Sequence, residues 1–106
     1  MSRMRSMVLA ATLMALASPP AFAITATVSG VKSTGEGSKV TTADTGCDGH
    51  GAQSQWIRTG SSSVYKITNG NGCNTSLDYM TGGTVTHIKA CSVRTAAPDV
   101  CSGWKP

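Results

Sequence analysis

Large aliphatic, aromatic and charged side chains are all scarce. Charged residues make up 13% of the 106 and aromatics 5%, well under the quarter that is usual for charge. Beyond residue 23 there is one Leu (Leu77), one Glu (Glu36) and no Phe. Without Leu and Glu there is little to build a helix from, and no eleven-residue window keeps an apolar period near 3.6. That excludes a coiled coil and a helical bundle. No apolar run after residue 23 is long enough to span a membrane. No two basic residues are adjacent there either, so a clustered basic face for nucleic acid is missing. Neither a C-x-x-C pair nor a G-x-S-x-G nucleophile turn occurs.

What is present begins with a targeting pattern. Arg3 and Arg5 precede an uncharged apolar run over 7–17, then Pro19-Pro20 and the triplet Ala21-Phe22-Ala23. This is the n-region, h-region and A-x-A arrangement of a secretory signal peptide. The run is too short for a membrane span, which needs about 20 apolar residues. Residues 1–23 are therefore expected to be removed, leaving residues 24–106 as a single secreted domain. In that part seven bases stand against five acids, which takes the formal net charge from +4 to +2.

The domain is dense in Gly, Thr and Ser, with twelve, thirteen and ten of them in residues 24–106. Val and Thr alternate with polar residues between Gly- and Asn-rich clusters, the signature of short strands and tight turns. Six or seven strands are predicted, over 24–31, 38–43, 50–58, 63–69, 74–80, 84–94 and 100–104. Turns are placed at 34–37, 45–49, 59–61, 69–72, 81–83 and 97–99. The class this implies is all-β, a small antiparallel sandwich or barrel. Along 84–94, Val85, His87, Lys89, Cys91 and Val93 share one face and Ile88 and Ala90 the other. Neither face is cleanly apolar.

So small a core benefits from covalent help, and four cysteines are available: Cys47, Cys73, Cys91 and Cys101. They allow three connectivities. In a hairpin centred on Gly60, opposed residue numbers sum to about 120, as Cys47 and Cys73 do. In one centred on Ala96 they sum to 192, as Cys91 and Cys101 do. The rulers select Cys47–Cys73 and Cys91–Cys101. Disulfides imply an oxidising, extracellular compartment.

Candidate chemistry is thin. Asp48-Gly49-His50 could form an acid–base pair, yet D-G before a strand is first of all a turn. Asp44 and Asp48 lack the third acid and the terminal Glu of an EF-hand loop, and two scattered His do not complete a zinc spacing. No catalytic residue, metal or cofactor is expected. Binding needs only a rigid surface with a few anchors. Those anchors are placed at Trp56, Arg58, Tyr65 and Trp104, with core filling as the competing role for the two Trp.

Asp48-Gly49-His50, Asn69-Gly70-Asn71-Gly72-Cys73, Ile88-Lys89-Ala90-Cys91 and Cys101-Ser102-Gly103-Trp104 together resemble the small secreted β-rich proteins of Streptomyces and related actinobacteria. That resemblance implies a fold and a compartment and assigns no functional residue. In size, compartment and disulfide number the chain is also similar to the tendamistat-like α-amylase inhibitors. Their Trp-Arg-Tyr triplet is absent, and its nearest echo is Trp56-Ile57-Arg58. The expectation is a monomeric, non-catalytic extracellular protein that holds a polysaccharide or protein ligand. The alternative is an inhibitor of an extracellular hydrolase, presenting the loop Thr95–Asp99.

Overall fold

The computed structural model describes residues 23–106, which form eight strands and no helix. The signal-peptide reading lies outside the described residues apart from Ala23, the first residue of β1. The strands are β1 (Ala23–Val28), β2 (Val31–Glu36), β3 (Lys39–Asp44), β4 (Gly51–Arg58), β5 (Tyr65–Asn69), β6 (Thr75–Met80), β7 (Val85–Val93) and β8 (Val100–Cys101). They make two four-stranded antiparallel sheets, ordered β1-β2-β3-β6 and β5-β4-β7-β8. The all-β sandwich expected from the sequence is therefore the fold.

Strand number is one correction. The segment expected as a single strand over 24–31 breaks at Ser29-Gly30 into the β1–β2 hairpin, closed by the Val28↔Val31 pair. The turn expected over 34–37 falls mostly inside β2, and the chain reverses at Gly37-Ser38 instead. Gly30 and Gly37 have φ of 79° and 59°, the left-handed conformation that a two-residue hairpin turn needs. Gly35 stays in the strand for a different reason. A Cβ there would lie 2.7 Å from Val85 Cγ1 of the opposite sheet. A strand glycine here marks close approach, not a turn.

The buried face of β7 is set by a bulge. Ile57 pairs with His87 but Arg58 pairs with Val85, so Thr86 is an extra residue on β7. The slip rephases the strand. Val85 and Ile88, three positions apart, both face the core, followed by Ala90 and Ser92. Strict alternation would have put Val85 outside.

Between the sheets lie Ala26, Val31, Val40, Ala52, Trp56, Val85, Ile88 and Ala90. This is little apolar volume, and hydroxyls fill the middle. Ser33, Thr42 and Ser54 are fully buried and chained together, with Ser54 Oγ 2.6 Å from both Ser33 Oγ and Thr42 Oγ1. Both disulfides are those expected. Cys91–Cys101 joins directly opposed residues of β7 and β8. Cys47–Cys73 ties the β3–β4 connection to the β5–β6 turn, and so staples the two sheets at one end.

Candidate functional site

Three strand ends meet at one end of the sandwich. Trp56 and Tyr65 are cross-strand partners on β4 and β5, and their inward-facing rings stack at 6.0 Å between centroids. Tyr79 reaches in from β6 of the other sheet, 5.7 Å from Trp56 and tilted by 49°. Trp56 is only 1% exposed and holds the other two rings from below. It is thus a core residue and offers no ring face to a ligand, contrary to its place among the expected anchors. The physical reason is its position: it sits in phase with Ala52 and Ser54, which also point inward.

Arg58 ends β4 next to the bulge. Its guanidinium lies 5.0 Å from the centre of the Tyr65 ring. Nη2 donates to Tyr65 Oη at 3.2 Å and Nη1 to the Thr59 carbonyl at 3.1 Å. The Tyr65 hydroxyl in turn meets Ser61 Oγ at 2.9 Å. The Ser61 hydrogen bond, with the Arg58 charge adding to it, holds the Tyr65 phenol below its ordinary range against an opposing effect of partial burial. Tyr79 is 47% exposed. The result is a rim of one guanidinium and two phenol rings, braced by a buried indole. Met80, 69% exposed, follows Tyr79 in the strand and so lies on the opposite, outer face of β6.

Trp104, the fourth expected anchor, is elsewhere. The segment after β8 bridges back to Ile88 through Lys105, and Lys89 Nζ sits 4.6 Å from the centre of the Trp104 ring. Tyr65 is on the opposite edge strand of that sheet, three strand spacings or roughly 14 Å away. Trp104 is half-exposed but does not share the rim. The residue that completes the rim, Tyr79, was absent from the expected set. Its only sequence signal is an aromatic at an inward position near the end of an edge strand.

The other end of the sandwich carries the Asp48-Gly49-His50 segment. Here the turn reading holds: His50 N donates to Asp48 Oδ1 at 3.0 Å, and Gly49 has φ of 76°. The Asp48 carboxylate packs over Gly30 and Gly46, where a side chain at either position would collide with it. Beside this turn opens a cleft of about 510 Å³, lined by Asp44, His50, Asn69, the Cys47–Cys73 disulfide and several glycines. Among the described residues, no group of three or more His, Cys, Asp or Glu is placed to hold a metal ion. His87, on β7, meets its neighbour Thr86 Oγ1 through Nδ1 at 3.1 Å.

Fold and site together define a disulfide-stapled all-β sandwich with an aromatic–guanidinium rim at one end and a glycine-walled cleft at the other. No family model matches the chain, and neither does any curated protein or solved structure.

Proposed function

We propose that this is a small secreted, non-catalytic binding module that holds an extracellular polysaccharide or protein ligand. The observation that carries the reading is the rim. Tyr65 and Tyr79 both pack on the buried Trp56, Tyr79 is exposed, and Arg58 lies over the Tyr65 ring. Tyr and Arg anchors on a rigid support concentrate binding energy, because little side-chain entropy is lost on contact. Aromatic faces serve equally for sugar rings and for protein surfaces. Secretion is supported by the pattern in residues 1–23 and by two disulfides, which are stable in oxidising compartments.

The test is capture of cell-wall polysaccharides and extracellular proteins by the secreted protein. Arg58→Ala and Tyr79→Ala should each weaken capture by about 1–2 kcal/mol. Lys66→Ala, on the outward face of β5, should leave it near wild type. A product that accumulates at steady state, and disappears in a folded His50→Ala protein, would overturn the non-catalytic reading.

A second reading is supported by the β7–β8 connection. Residues 95–99 are all exposed, Cys91–Cys101 closes the loop at its root, and Arg94 N donates to Asp99 Oδ1 at 3.2 Å. A tethered exposed loop is what an inhibitor of an extracellular hydrolase presents. Inhibition of such an enzyme that survives replacement of residues 96–98 by glycine would exclude the loop.

A further inference from the structure

The cleft holds an unusual carboxylate. Asp44 is in phase with Val40 and Thr42 on the inner face of β3, so the fold carries it inside, and it is only 4% exposed. Its Oδ1 accepts the Gly46 N–H at 3.2 Å. Among the described residues no cation pairs with it. A carboxylate this far from water ordinarily has a cationic partner.

A second group is spare at the same place. His50 Nδ1 is buried and has no hydrogen-bond partner, although the His50 backbone N–H is taken by Asp48. In the tautomer that carries its proton on Nε2, Nδ1 is an acceptor. The third polar side chain in the wall is already occupied. Asn69 Nδ2 donates to the Thr42 and Thr75 carbonyls at 3.1 Å each, and Asn69 Oδ1 accepts the Asn71 N–H at 2.9 Å. In that tautomer the side-chain capacity left free in the cleft is acceptor capacity, one of the two acceptors being a carboxylate. Its chemical complement is a group that only donates and carries positive charge.

We propose that the cleft is a binding site for a Lys or Arg side chain of a peptide or protein partner, with Asp44 as counter-ion and His50 Nδ1 as a second acceptor. Three observations narrow the occupant to this class. A bare metal ion would find too few ligands, since no cluster of three ligating side chains exists among the described residues. No Trp, Tyr or Phe lines the cleft, so an amino sugar would lack the broad stacking platform that such a ring gives, the small imidazole of His50 being the one aromatic group in the wall. The remaining walls are glycine backbone and the disulfide, and the volume of about 510 Å³ admits a flexible alkyl stem with its charged head. This site is separate from the rim, and neither proposal depends on the other.

The experiment is titration of the disulfide-bonded protein with Nα-acetyl-lysine amide and Nα-acetyl-arginine amide, followed by backbone amide chemical shifts. Nα-acetyl-norleucine amide supplies the stem without the charge, and glucosamine supplies an ammonium on a sugar. The expected result is saturable shifts at Gly46, His50, Gly70 and Gly72 with at least one of the two cationic probes and none with norleucine or glucosamine. Asp44→Asn should weaken binding roughly tenfold or more, the usual consequence of losing a charged hydrogen bond. Gly70→Leu gives a second variant that keeps every polar group, because Gly70 lines the cleft and nothing lies within 4 Å of a Cβ there, so a bulky side chain is accommodated at the cleft wall. It too should abolish the shifts while the spectrum stays that of a folded protein. Absence of saturable shifts with both cations would overturn the proposal, as would an equal response to norleucine or undiminished affinity in folded Asp44→Asn. A stronger response to glucosamine would replace the peptide side chain by an amino sugar and overturn the proposal in that form. Tyr79→Ala should leave the titration unchanged, so failure at the rim and failure at the cleft are read separately.

Discussion

Thr42 of one sheet and Ser54 of the other meet hydroxyl to hydroxyl at 2.6 Å in the middle of the sandwich, both fully buried. Ser33 joins them through Ser54 at 2.6 Å, so Ser54 is the shared member. Each net hydrogen bond adds only about 1 kcal/mol, but an orphaned buried hydroxyl costs more than that. Ser54→Ala should therefore destabilise by about 1–3 kcal/mol in urea unfolding. The triple variant Ser33→Ala, Thr42→Val, Ser54→Ala removes all three hydroxyls together and should cost less than the sum of the single changes. Strict additivity of the three would show that the hydroxyls do not act as a chain.

Trp56 and Trp104 should separate by fluorescence. Trp56 is 1% exposed and Trp104 37%, so a blue-shifted and a red-shifted emission are expected in one protein. Trp56→Ala should cost about 3–5 kcal/mol through the cavity it leaves. Trp56→Phe should cost less, because the indole Nε1 has no hydrogen-bond partner to lose. Quenching by iodide that affects both emissions equally would contradict the burial of Trp56.

The two disulfides should contribute unequally. Their sequence separations are 26 and 10, and loop-closure entropy then assigns about 3.5 kcal/mol to Cys47–Cys73 and about 2.7 kcal/mol to Cys91–Cys101. The first also links the sheets, whereas the second joins neighbours in one sheet. Paired Cys→Ala variants compared in guanidinium should place the Cys47/Cys73 variant as the less stable. The reverse order would show that the β7–β8 closure matters more than the inter-sheet staple.

Tyr65 should ionise below the ordinary tyrosine range. Ser61 is the principal cause, and Arg58 adds to it. Phenolate absorbance in a Tyr79→Phe background isolates this titration, since Tyr65 and Tyr79 are the only tyrosines. Ser61→Ala should move the midpoint upward, and so should Arg58→Ala, which removes both a nearby positive charge and a hydrogen bond. A lowered folded-state value means that ionised Tyr65 favours the fold. That contribution is present above the unfolded tyrosine value and is lost as pH falls through the lowered folded one. A midpoint unmoved in Ser61→Ala would remove Ser61 as the cause.

Much of the fold was readable because turns and covalent links act over short spans. The register of β7 and β8 sums to 192 at Cys91↔Cys101 and Ser92↔Val100, the value taken from the turn alone. For β4 and β5 the observed sum is 121, at Ala52↔Asn69 through Trp56↔Tyr65, one more than the ruler centred on Gly60. Cys47 and Cys73 lie beyond that ladder, where loop flexibility absorbs the difference. Gly35 misled because a glycine needed for close packing and one needed for a turn look alike in sequence. The bulge at Thr86 carries no residue signature, so the phase of β7 could not be read either.

Residue order alone was sufficient for the all-β class, the cysteine pairing and the turn at Asp48-Gly49-His50. Each depends on backbone preferences or ring closure within a few tens of residues. Which residues share a surface was decided only by the packing of the sheets. Placing β6 beside β3, across from β5, brings Tyr79 onto Trp56 and turns Trp56 from an expected anchor into a support. The same arrangement puts Asp44, His50 and the first disulfide around one cleft. The contact of Tyr79 with Trp56 joins residues more than twenty positions apart and on opposite sheets, and the cleft sets the β3–β4 connection against the end of β5 and the β5–β6 turn. They follow from the burial of both inner faces at once, a sum over the whole chain that no local pattern encodes.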